Sequence, residues 1–114
     1  MKKIAMLTFL KANRVCTGAA CFQAFHEQTR GFEISRGQQV QVAAFMKCNG
    51  CDSDPIKDEG MREKVERLKK EQVEAVHLGA CTIRKDGSRC ENIARIAEMI
   101  REQGIVIMDK THNP

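Results

Sequence analysis

Four short apolar runs, separated by stretches of helical period, constrain this chain more than any other feature. The runs occupy residues 2–10 (KKIAMLTFL), 39–46 (QVQVAAFM), 73–80 (VEAVHLGA) and 104–109 (GIVIMD). Between them, residues 61–72 set Met61, Val65 and Leu68 on one face, and residues 91–103 do the same with Ile93, Ile96, Ala97 and Ile100. Residues 18–28 carry a weaker version, with Cys21 and Phe25 four apart and Phe22 and Phe25 three apart. The order β-α-β-α-β-α-β predicts a parallel sheet covered by helices on its faces. We expect an α/β, three-layer Rossmann-like or flavodoxin-like fold. Its mainly parallel four-stranded sheet takes the order 2-1-3-4, and a single domain spans 1–114.

Composition narrows the function classes. The chain holds 42% hydrophobic and 30% charged residues, the balance of an ordinary globular protein. Nineteen basic against fifteen acidic residues leave a net charge of +4, spread along the chain, and there is no Trp or Tyr for base stacking. No nucleic acid partner is expected. The N-terminal apolar run, Ile4 to Leu10, is broken by Lys11 and Arg14, which spoils a secretory reading of "TGAAC" at 17–21. No run approaches the ~20 apolar residues that span a bilayer, so no membrane association and a cytoplasmic location are expected. In that compartment six cysteines are ligands or reactive thiols rather than a disulfide framework.

The cysteines fall where this fold keeps its sites. Cys16 and Cys21 follow the first strand, Cys48 and Cys51 the second, Cys81 and Cys90 the third, and His112 the fourth. Parallel strands all end at one edge, so these residues are expected to gather along a single rim. Ser88 with Glu91 reads as a capping box, Thr17 as a helix cap and Pro55 as a first helical residue. Thiols near helix N-termini are biased toward thiolate, the form that binds metal and attacks electrophiles.

"CNGC" at 48–51 admits three readings: a metal knuckle, a redox pair, or two small packed residues. Gly50 supplies backbone room for a knuckle, and Asn49 tolerates left-handed geometry. A redox pair would use Cys48 and Cys51 as nucleophile and resolving thiol. Haem attachment fails because Asp52 stands where histidine is needed. "VCTGAAC" at 15–21 resembles the phosphate loop of low-molecular-weight tyrosine phosphatases. Phe22 occupies the position of the required arginine, so the phosphoryl clamp is missing. Cys21 aligns with Phe25 and is either core or ligand. His77 shares a strand face with Gly79 and Cys81 and is either buried or a ligand. His26 reads as a solvated surface histidine.

Taken together, these motifs resemble the CGGC-domain family of small prokaryotic proteins over nearly the whole length. The resemblance rests on the "KKIA" strand, C-x-G-x-x-C-F-x-A-F at 16–25, C-x-G-C at 48–51, "VHLGAC" at 76–81, Cys90, and "TH" at 111–112. Asn49 departs from it, standing where the family's motif has glycine. The resemblance implies a metal site, with zinc as the ion, and leaves any enzymatic activity open. We expect Cys16, Cys48, Cys51 and Cys81 as ligands, with Cys21, Cys90, His77 and His112 as additional candidates. An iron–sulfur cluster and a Cys48/Cys51 thiol–disulfide couple are the alternatives.

Overall fold

The structure, a computed structural model, describes residues 1–52 and 54–112. Strands β1 (Lys2–Thr8), β2 (Val40–Lys47), β3 (Ala75–Leu78) and β4 (Val106–Met108) alternate with helices α1 (Ala19–Glu27), α2 (Glu59–Lys70) and α3 (Glu91–Glu102). Every strand pairing is parallel and the order is β2-β1-β3-β4, as the sequence pattern predicts. The chain turns to β2 on one side of β1 and to β3 on the other. The topological switch point therefore lies between the C-terminal ends of β1 and β3.

β1 is the centre of the fold because its side chains alternate between two cores. Ile4 and Met6 pack with Cys21 and Ala24 of α1 and with Phe32, which sits in a 3-10 segment, Arg30–Ser35. Ala5 and Leu7 point the other way, toward Met61, Val65 and Leu68 of α2 and Ile93, Ile96 and Ile100 of α3. All four of these β1 residues are fully buried. Each such Ile or Leu contributes about 1.5–3 kcal/mol by leaving water. The β1–β2 register skips one residue, pairing Ile4 with Val42 but Ala5 with Ala44, which leaves Ala43 as a bulge on β2.

Helix starts depart from the sequence expectations in three places. Ser88 does not cap α3: its hydroxyl donates to Asp86 Oδ1, and Cys90 stands at the cap position without a side-chain cap bond. The Asp-Gly turn at 86–87 has claimed the serine, a local competition that Ser and Asp side chains often win. Pro55 lies in a turn instead of opening α2. Asp58 caps that helix, its Oδ1 accepting the Met61 N–H at 3.1 Å. Cys51 is consequently well before the helix start. At α1 the cap is Gly18, with φ +82°, while Thr17 Oγ1 accepts the Ala19 N–H from one residue earlier.

Candidate metal centre

Two short 3-10 turns shape the rim, one after β1 (Leu10–Arg14) and one after β3 (Ala80–Thr82). They bring two thiols to successive amides of the chain leaving β1. The Phe9 N–H donates to Cys81 Sγ at 3.2 Å, across the switch point, and the Leu10 N–H donates to Cys48 Sγ at 3.3 Å. Gly79 makes the first contact possible. A Cβ there would stand 3.0 Å from Thr8 Cγ2 and 3.3 Å from Cys81 Sγ, so any larger residue pushes on the sulfur. Cys16 receives a third amide, from Gly18, at 3.3 Å.

Cys21 lies on the inner face of α1, where its Sγ is 3.2 Å from Thr111 Oγ1. The C-terminal segment reaches this position because Gly31 lets it pass. The Gly31 N–H donates to the Thr111 carbonyl, and a Cβ on Gly31 would lie 2.0 Å from the Lys110 carbonyl oxygen.

Charge couples three of these thiols. Burial pushes Cys81 above the ordinary thiol range, opposed by the Phe9 amide and reinforced by a negative charge on Cys16. Burial likewise pushes Cys21 up, opposed by the Thr111 hydroxyl and reinforced by charges on Cys81 and Cys16. Metal-free, the cluster therefore resists holding several thiolates at once. A divalent cation reverses that balance. Lys47 acts in the same sense: its positive charge favours the thiolates of both Cys21 and Cys81. Its Nζ donates to Thr8 Oγ1 at 3.2 Å and sits 4.7 Å from the centre of the Phe45 ring. Sequence reasoning missed Lys47; the available signal was a cation at the end of a strand, directly before C-x-x-C.

The remaining candidates are spread more widely. Cys51 is exposed in the loop after Cys48, whose Gly50 has φ +104°. Asn49 does not take positive φ, so no glycine is needed there. Its side chain bridges Asp58 and Lys64. The 48–51 loop is tied to α3, because Asn92 Nδ2 donates to the Gly50 carbonyl. Cys90 is half-buried and packs against the core on the α2/α3 side. His112 is half-buried and lines a cavity of about 310 Å³ with Ala20, Gln23 and Arg30. His26 is exposed.

His77 points into the α1 side of the sheet, 1% exposed, with its ring stacked on Phe32 at 4.1 Å. Its Nδ1 lies 3.0 Å from the Lys110 carbonyl, which fits an N–H donor. Burial lowers its pKa from the ordinary 6.5, although the Lys110 carbonyl pulls the other way. The unfolded chain then binds the proton more readily, so His77 contributes stability above pH 6.5 that is lost as pH falls from there through the folded-state value. Urea denaturation between pH 7.5 and 5.5 is expected to show this loss, and His77→Gln to flatten it.

The donor set fits a thiophilic ion: three sulfurs along one rim each accept a backbone N–H. The side-chain placement is more open than a bound ion requires. Among the described residues, no three His, Cys, Asp or Glu side chains converge enough to hold a metal. To hold an ion, the thiol side chains would have to turn inward, with the 48–51 loop bringing in Cys51. No helix among the described residues is long and apolar enough to cross a membrane. Neither a curated protein nor a solved structure matches the chain. A profile of the CGGC domain, however, matches residues 3–112. The chain therefore belongs to the CGGC domain family.

Proposed function

We propose that this protein binds a transition metal, Zn²⁺, through cysteine thiolates at the C-terminal edge of its parallel sheet. The ligands in this reading are Cys16, Cys48, Cys51 and Cys81, with Cys21, Cys90, His77 and His112 as further candidates. The CGGC domain and the six cysteines fit a metal-binding protein. One observation carries the assignment to this rim. Cys16, Cys48 and Cys81 come from the connections after three different strands, and each sulfur accepts a backbone N–H from residues 9–18. Such amides stabilise the charge that thiolate ligands retain when they hold a dication. Bound zinc would supply a fixed tetrahedral centre of positive charge, drawing in the thiolates that otherwise repel one another.

Elemental analysis of protein purified without oxygen or added metal tests this reading. One zinc per chain with no visible absorption supports it. Iron with sulfide and visible bands transfers the site to an iron–sulfur cluster, for which the same N–H···S pattern is suitable. Metal-free protein that forms a Cys48–Cys51 disulfide would overturn both readings in favour of a redox couple.

A further inference from the structure

We propose that Asn49 and Lys64 form a latch on the C-x-x-C loop, which holds Cys48 buried and acts as a brake on metal binding at the rim. The brake rests on the metal reading above, whereas the latch itself does not. Side chains of two helices pin the loop. Lys64 Nζ, from the second turn of α2, donates to the Lys47 carbonyl at 2.9 Å and to Asn49 Oδ1 at 2.6 Å. Asn49 Nδ2 donates onward to Asp58 Oδ2 at 3.2 Å, while the other oxygen of that carboxylate caps α2. Asn92, in the first turn of α3, donates to the Gly50 carbonyl at 3.2 Å. Bonds from an ammonium are of the stronger, charge-assisted kind.

The start of α2 leaves room for the Asn49 amide. Gly60, a poor helix former, stands in its first turn. A Cβ there would lie 3.3 Å from both Asn49 Nδ2 and Asp58 Oδ1, so a side chain at this position presses on the latch.

The pinned loop fixes how the two thiols are presented. Cys48 is 2% exposed, and its sulfur accepts the Leu10 amide at 3.3 Å. Gly50 lies over the same residue, since a Cβ on it would stand 3.8 Å from Leu10 Cδ2. A loop held at Lys47, Asn49 and Gly50 therefore keeps Cys48 against the α2/α3 core and leaves Cys51 exposed. In this arrangement no three ligating side chains converge among the described residues. An ion that draws Cys48 and Cys51 together must displace the bonds that hold the loop. A ligand that binds only a less populated arrangement is held more weakly in proportion. The glycine of the family's motif has no side chain to make the Asn49 bonds, so the brake is a device of this chain.

Pulsed alkylation of the reduced, metal-free chain, read at each cysteine by mass spectrometry, tests the latch. Asn49 has no positive φ, so Asn49→Ala removes the amide without straining the backbone. Cys48 in this variant should react about tenfold faster, the scale of one lost bond to a charged group. Cys21, buried in the other core, should keep the parent rate. Lys64→Met retains the aliphatic stem and should show the same selectivity. The double variant should resemble Lys64→Met alone, because both changes break one bridge. Zinc competition against a chromophoric chelator gives the second readout, with Asn49→Ala binding about tenfold more tightly than the parent. An unchanged Cys48 rate, or Cys48 and Cys21 accelerating together through a general loss of stability, overturns the latch. Weaker zinc binding by the variant overturns the brake. If neither protein retains zinc, the metal reading fails and the brake with it, while alkylation still decides the latch.

Discussion

Cys81→Ser is expected to weaken zinc binding by about a hundred- to a thousandfold, as judged by competition with a chromophoric chelator. The estimate follows from removing one of the four proposed ligands, since a structural zinc site supplies about 10–16 kcal/mol. Cys81 is the appropriate residue to change because it lies at the switch point, where its sulfur accepts the Phe9 amide and senses charge on Cys16, while its own charge bears on Cys21. Serine retains the volume and the hydrogen-bond acceptor, so the fold should persist in circular dichroism while affinity collapses. Cys90→Ser provides the comparison. That residue, a further candidate, packs against the same α2/α3 core as Cys48, and its replacement should cost less affinity than Cys81→Ser. If the Cys81 variant retained a full complement of tightly bound zinc, the ligand set would be wrong.

Phe32→Ala should have the largest effect on stability, a loss of about 3–5 kcal/mol in urea denaturation. Phe32 is fully buried, stacks on His77 at 4.1 Å and meets Phe25 edge-on at 5.5 Å. Removing it empties the α1-side core beside a buried imidazole. Water then reaches His77, and the acid-dependent loss of stability described above should shrink in the same variant. An unchanged pH slope would show that the depressed His77 pKa does not arise from burial under Phe32.

The strands and helices were legible because their apolar spacing repeats. Met61, Val65 and Leu68 on α2, and Ile93, Ile96 and Ile100 on α3, are the residues whose period predicted them, and all are buried. The parallel sheet and its order follow from alternation with helices. The 3-10 turns were not legible, because three to six residues carry no period, and these turns place Cys48 and Cys81 on adjacent amides. Helix starts were misread where two polar side chains competed: Asp86 took Ser88, and Asp58 capped a helix that Pro55 was expected to open. Phe32 and Gly31 were also silent in sequence. One owes its place to a turn, the other to a close backbone approach across 79 residues of chain, at Lys110.

For the site, the sequence placed cysteines after each of the first three strands but could not order them by environment. The structure separates them. Charge on Cys16 bears on Cys21 and Cys81, Cys48 is buried in the α2/α3 core with Cys90 packed against it and joins the others through the Leu10 amide, and Cys16 and Cys51 are exposed. Lys47 adds a fixed cation to this group that no cysteine spacing would reveal. In the proposed site it would offset part of the negative charge that three or four thiolates leave on a dication.

X-ray absorption at the zinc edge of the metal-loaded protein tests the thiolate site most directly. The account predicts a first shell dominated by sulfur, three or four scatterers at about 2.3 Å. A first shell of nitrogen and oxygen at about 2.0–2.1 Å would contradict it.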